Sequence, residues 1–205
     1  MNQPRLALHI GYGKCASSYL QSLCYLNENL LLENGILLSR AGLEGYANHY
    51  LSYNYCKHND CEHFRGPSLA ILGNELESLA DGQTLLVSSE YLMGDDPFFL
   101  SQILDIAPNH ISPDVTLFVR RQDSLVESWY CQEVLTRTET AHPIMMLADS
   151  LWHEGILNYY GMAQSFRRTL DNYNGTLRVF SLDNLKSRKL DPLEALLPRL
   201  ANANI

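Results

Sequence analysis

Three short stretches hold the residues best able to do chemistry. The first is Gly11-Tyr12-Gly13-Lys14-Cys15-Ala16-Ser17-Ser18, directly after the apolar run Leu6 to Ile10. A strand that ends in a loop opening a helix presents unpaired backbone N–H groups and a positive helix end. Glycine lets the backbone approach an oxyanion. Lys14 adds a flexible charge, and Ser17 or Ser18 can cap the helix and donate to a phosphate. The stretch lacks the GxxxxGK[ST] spacing of a Walker A motif. An anion-binding loop and a plain strand-to-helix turn are both open on these residues alone. The second stretch is Val119-Arg120-Arg121-Gln122-Asp123, followed by Ser128 and Tyr130. Arginine at the end of a buried strand is costly unless an anion pairs with it. Arg120 and Ser128 make a second phosphate clamp, or Arg120 pairs internally with a carboxylate; Asp123 reads as a helix N-cap. The third stretch, Ser88 to Tyr91, follows another apolar run.

The elements that must position these residues are legible from periodicity. Leu6–Ile10, Thr84–Ser88, Val115–Val119 and Thr176–Phe180 read as strands, and 36–38 as a short one. A helix starts at Ser17 or Ser18, with Leu20, Leu23, Leu26 and Leu30 on its apolar face, and stops at Asn34-Gly35. Further helices are expected over 68–79, 98–107, 123–135 and 144–170, the last broken near Gly155 or Gly161, and over 192–200. Residues 41–67 show no period and read as a long irregular segment, a lid or an acceptor-site element. Alternating strands and helices predict one three-layer α/β/α domain over 1–205 with a mainly parallel sheet of the P-loop NTPase-like kind. In such sheets ligands lie outside the carboxyl ends of the strands. All three stretches sit at such ends.

Composition excludes several classes. The chain has 205 residues, 46% hydrophobic and 19% charged, which suits one packed globular unit. A net charge of −8 opposes a broad nucleic-acid or polyanion surface, yet leaves room for one small anion held by a few aimed donors. Five scattered cysteines make a poor disulfide scaffold, so reduced thiols are expected. No signal peptide and no membrane span are read, and a cytoplasmic location is expected. Cys56, His58, Cys61 and His63 do not follow zinc-ligand spacing, and no metal is expected. Cys15 stands where a helix N-terminus lowers a thiol pKa, but no base accompanies it.

Taken together, the stretches resemble the PAPS-dependent sulfotransferase family. Gly13-Lys14-Cys15-Ala16-Ser17-Ser18-Tyr19-Leu20-Gln21 is similar to that family's 5′-phosphosulfate loop, PKTGTTSLQ. Arg120, Ser128 and Tyr130 hold the spacing of its 3′-phosphate motif, in the RRQD form of bacterial members. Ser88-Ser89-Glu90 resembles its SSE stretch, and Val179 to Leu185 its late strand followed by D-x-L. The resemblance spans residues 6 to about 186. It departs at Gly13 for Pro, at Cys15 for Ser or Thr, and at Ala16 for Gly. If that glycine serves a positive φ, Ala16 carries about 1 kcal/mol of strain. The family's basic C-terminal segment has no match after 186, which fits a minimal or truncated member.

The resemblance implies an enzyme moving a sulfuryl group from 3′-phosphoadenylyl sulfate (PAPS) to an acceptor hydroxyl, with adenosine 3′,5′-bisphosphate as product. Lys14 would steady the departing oxygen. Gly13 to Ser18 would grip the 5′-phosphate, and Arg120 with Ser128 the 3′-phosphate. Glu90 or His49 would take the acceptor proton. Tyr159-Tyr160 would line the acceptor cleft, for a small molecule or a glycan. The rival readings are a P-loop small-molecule kinase and a non-catalytic nucleotide- or sulfated-ligand-binding protein on the same fold.

Overall fold

The computed structural model describes residues 3–94, 97–136, 143–193 and 195–196. Five parallel strands form one sheet in the order β2-β3-β1-β4-β5. They are β1 (Arg5–His9), β2 (Ile36–Leu38), β3 (Thr84–Ser88), β4 (Ser112–Val119) and β5 (Thr176–Ser181). Every connection crosses over through helix. The β1–β2 crossover holds α1 (Ser17–Leu26) and α2 (Glu28–Glu33). The β2–β3 crossover holds α3 (Tyr53–His58) and α4 (Arg65–Glu77), and the β3–β4 crossover holds α5 (Pro97–Leu104). Between β4 and β5 lie α6 (Gln122–Thr136), α7 (Ile144–His153) and α8 (Tyr159–Asp171), and α9 (Leu182–Ser187) follows β5. The architecture is three-layer α/β/α, the P-loop NTPase-like fold expected from the alternation of elements.

The central strand is apolar because both its faces are covered. Leu6, Ala7 and Leu8 of β1 are buried, as are Leu85 to Val87 of β3 and Val115, Leu117 and Phe118 of β4. From β1 the chain moves to the far strand β2, returns to β3 beside β1, and then continues on β1's other side. Right-handed crossovers, the strong rule for parallel sheets, put α1 on one face and α4, α5 and α8 on the other. α5 and α8 do pack against each other. The chain leaves β1 and β3 in opposite directions, so a crevice opens between their carboxyl ends.

Several expectations require correction. The leucine face of the first helix does not run through: the helix ends at Leu26, and the chain reorients at Asn27 into α2. Leu20 is buried, whereas Leu26 and Leu30 are exposed. The stretch 41–67 is largely helical. It carries 3₁₀ turns at His49–Leu51 and Glu62–Phe64 around α3, and α4 begins at Arg65. Ser52 caps α3 by accepting from Tyr55 N–H, and Cys56 is buried beneath it. The long helix does break at Gly155, whose φ of 75° suits glycine, while Gly161 lies inside α8. Most of the expected helix at 192–200 lies outside the described residues.

Candidate functional site

The loop after β1 is wedged between its neighbours. Ile10 N–H donates to Thr116 O of β4, and Ser89 N–H donates to His9 O. A turn then closes by Cys15 N–H donating to Tyr12 O at 3.0 Å. Lys14 and Ala16 both adopt left-handed backbone, at φ 68° and 65°. Each such residue costs about 1–2 kcal/mol without glycine, a sign of local strain held by the surrounding fold. Ala16 therefore carries the strain that a glycine at this position would avoid.

Ala16 is also the N-cap of α1, and no side chain caps this end. The capping role expected of Ser17 or Ser18 is not played. The first helical bond runs from Leu20 N–H to Ala16 O, so the N–H groups of Ser17 and Ser18 have no acceptor within the helix. Ser17 is buried, and its hydroxyl has no partner among the described residues. A Cβ on Gly11 would meet Ser17 Oγ at 2.5 Å, so glycine is required there for space.

This loop faces a cavity of about 490 Å³. Gly13, Lys14, Ala16, Ser17, Ser18 and Tyr19 line one side, and Glu90, Tyr91, Met93 and Gly94 the other. Trp129 and Gln132 of α6 contribute a third wall, one helical turn apart, with Asn54 and Ile156 completing it. Glu90 Oε2 accepts from the buried Gln21 Nε2 at 3.1 Å. The sequence motifs thus bring Lys14 and Glu90 to one cavity, although they lie 76 residues apart in the chain.

His49 is placed differently. Its Nδ1 bonds Ser89 Oγ at 2.8 Å, and its ring packs against Tyr55 and Tyr91. Burial holds its pKa below the usual histidine value, against the opposing pull of Glu90 and Glu44. It stands behind Glu90 and does not line the cavity.

Arg120 lines a second cavity, of about 480 Å³, with Arg121, Gln122, Asp123, Tyr159 and Ser181. The two arginines differ. Arg121 bonds Asp123 through its guanidinium and Asp183 through its backbone N–H, whereas Arg120 pairs with no carboxylate among the described residues. Lys14 likewise pairs with none. Tyr159, expected in the acceptor cleft, faces Arg120 instead. Its buried hydroxyl has no partner among the described residues, and its ring meets Tyr12 edge-on at 5.0 Å. Ser128 lines neither cavity.

Cys15 lies between Lys14 and Ala16 in the chain and lines neither cavity. It is fully buried, and burial pushes its thiol up to about 12, despite the opposing field of Arg120. The helix end does not acidify it. Lys14 lines one cavity and Arg120 the other.

Solved structures share this arrangement of elements. A sulfotransferase domain from the curacin biosynthetic pathway superposes with a TM-score of 0.53 at 12% identity, covering 100% of this chain and 76% of that one. The likeness is one of fold, three-layer α/β/α with a parallel sheet. A gluconokinase from Sinorhizobium meliloti (TM-score 0.36, 15% identity, 85% of this chain, 94% of that) is too loosely similar to carry an argument. So is a retinol dehydratase in a complex with retinol and PAP (0.42, 12%, 98% and 60%). No protein-family model and no curated protein matches the chain.

Two neighbouring features complete the site. His9, at the end of β1, is buried, and burial lowers its pKa to about 4. Its Nδ1 bonds Ser88 Oγ at 2.8 Å, which fixes the ring under the P-loop-like turn. A space of about 30 Å³ beside His9, Gln21 and Asn48 has room for about one water. Among the described residues, no three His, Cys, Asp or Glu side chains are grouped to hold a metal, and no helix is long and apolar enough to cross a membrane. The sequence reading did not single out Gln21, Trp129, Met93 or Asn54. The 129/132 spacing on α6 was the available signal for its wall.

Proposed function

We propose that the chain is a sulfotransferase, moving a sulfuryl group from PAPS to an acceptor hydroxyl. The observation that carries this reading is the meeting of Lys14, an open helix end and the strand-end carboxylate Glu90 around one cavity. The residues present fit a phosphosulfate. Ser17 Oγ is an orphan at the helix end among the described residues, Ser18 is exposed beside it, and Lys14 brings a charge that no described carboxylate pairs with. Arg120, in the other cavity, supplies the second handle for a donor phosphorylated at both ends.

The donor supplies the activated sulfuryl group. Glu90, held at Oε2 by Gln21, offers its other oxygen to the acceptor hydroxyl and takes its proton as the acceptor oxygen bonds to sulfur. Lys14 faces the oxygen released as the old S–O bond breaks, and so acts where charge develops. The N–H groups of Ser17 and Ser18 hold the 5′-phosphate. His49 supports Glu90 from behind. Arg120 anchors the 3′-phosphate; Ser128, also proposed there, lines neither cavity as it stands.

A kinase reading is weaker on this loop. Cys15 stands where a kinase places its magnesium-binding hydroxyl, and it is buried with a raised pKa. Calorimetry with adenosine 3′,5′-bisphosphate and with ADP plus magnesium tests the choice. Preference for the bisphosphate is expected, and equal or reversed affinity overturns the reading. Labelled-sulfate transfer from PAPS then separates turnover from binding alone.

A further inference from the structure

We infer that the acceptor for the Lys14–Glu90 cavity is an uncharged, ring-bearing hydroxyl compound with an apolar body, not a polyol or a sulfated sugar. This rests on the proposed transfer at that cavity and names the class of molecule it takes.

The cavity is chemically divided. Its polar end holds Lys14, Ser17, Ser18 and Glu90. Tyr19, Tyr91, Met93, Trp129 and Ile156 give the same lining a large apolar surface. Two of the lining's polar groups are committed elsewhere. The Tyr19 hydroxyl donates to Asp191 Oδ2 at 2.7 Å, leaving the ring as its face. The Asn54 amide donates to Gly94 O. Beyond the polar end, Gln132, the Tyr91 hydroxyl and the Trp129 N–H remain as partners. A polyol brings more hydroxyls than these can satisfy once desolvated, a loss an apolar ring does not suffer. Aromatic faces, by contrast, reward a flat apolar body with area and with ring–ring geometry.

Charge points the same way. Lys14 and Glu90 are the charged residues of the lining, one of each sign. Once Lys14 is engaged by the donor, a sulfated sugar meets a carboxylate and no second cation among the described residues of the lining. Arg120 cannot serve, because it lines the other cavity. The volume of about 490 Å³ lies inside the range of roughly 300–1,000 Å³ typical of small-molecule sites.

The test is calorimetric titration of the full chain, with and without adenosine 3′,5′-bisphosphate, using 2-naphthol, glucose and a sulfated disaccharide as probes. Naphthol is expected to bind at least about tenfold tighter than either sugar. Trp129→Ala is expected to weaken naphthol by about tenfold and to leave bisphosphate affinity near the unsubstituted value. Trp129→Phe should recover most of the loss, which separates lost ring contact from a damaged fold. Tighter binding of either sugar, or bound nucleotide with no measurable naphthol binding, overturns the inference. So does an unchanged naphthol affinity in Trp129→Ala. Naphthol binding without any bisphosphate binding would instead remove the sulfotransferase reading while leaving the apolar-ligand cavity in place.

Discussion

The two cavities flanking the loop 11–18 are nearly equal in size and unlike in chemistry. Among the described residues, the one at Lys14 pairs a single cation and a single carboxylate with Trp, Tyr, Met and Ile side chains. The one at Arg120 is lined by two arginines, Gln122, Asp123, Ser181 and Tyr159. The first can hold an apolar body against reactive groups. The second can hold an anion, and its apolar lining is limited to Val119 and the Tyr159 ring. The strained loop 11–18 lines the first cavity, and its buried Tyr12 packs edge-on against Tyr159 of the second.

The sharpest way to break this comparison is to remove Lys14. If its cavity is where charge develops, Lys14→Met should slow sulfate transfer by about 100- to 1,000-fold, read with labelled donor. A similar loss of bisphosphate affinity would mean that Lys14 only binds. A second expectation concerns the platform beneath the loop. His9 is neutral in the folded state because its pKa is depressed to about 4, whereas the unfolded chain binds a proton below about 6.5. Stability is therefore full above pH 6.5 and falls as pH drops toward 4, by up to about 3 kcal/mol. Melting temperature followed from pH 7 to 4 should show this slope, and His9→Asn should lack that part of it. Next, Arg120→Met should cost about 1.5–3 kcal/mol of bisphosphate affinity and little for ADP, read by calorimetry. Equal losses for both nucleotides would merge the two cavities into one phosphate site. The smallest effect is Ala16→Gly. Relief of the left-handed backbone, less the added freedom of the unfolded chain, should stabilise by about 0.5–1 kcal/mol in denaturant midpoints.

Local signals were readable where an element's sequence and its burial agree. Thr84–Ser88 is legible to the residue because an apolar run is bounded by Gly82 and Glu90 and is covered on both faces. The Gly155 break was legible because only glycine takes that φ readily. The leucine repeat through residue 30 misled because it continues past a reorientation at Asn27. The stretch 41–67 was unreadable because α3 has six residues and leans on packing, with Cys56 buried and Tyr50, Tyr55, Tyr91 and His49 in ring contact. Short helices depend on such contacts more than on propensity.

The sequence by itself determined the α/β alternation and the strand-end positions of Lys14, Glu90 and Arg120, since each follows from local periodicity. Only the tertiary structure decided that Ala16 is left-handed, that Lys14 and Arg120 face different cavities, that Glu90 rather than His49 lines the first, and that Trp129 lines it too while Ser128 lines neither. Those linings depend on how each helix is rotated about its axis. That rotation is set by packing between elements far apart in the chain, and no local pattern carries it.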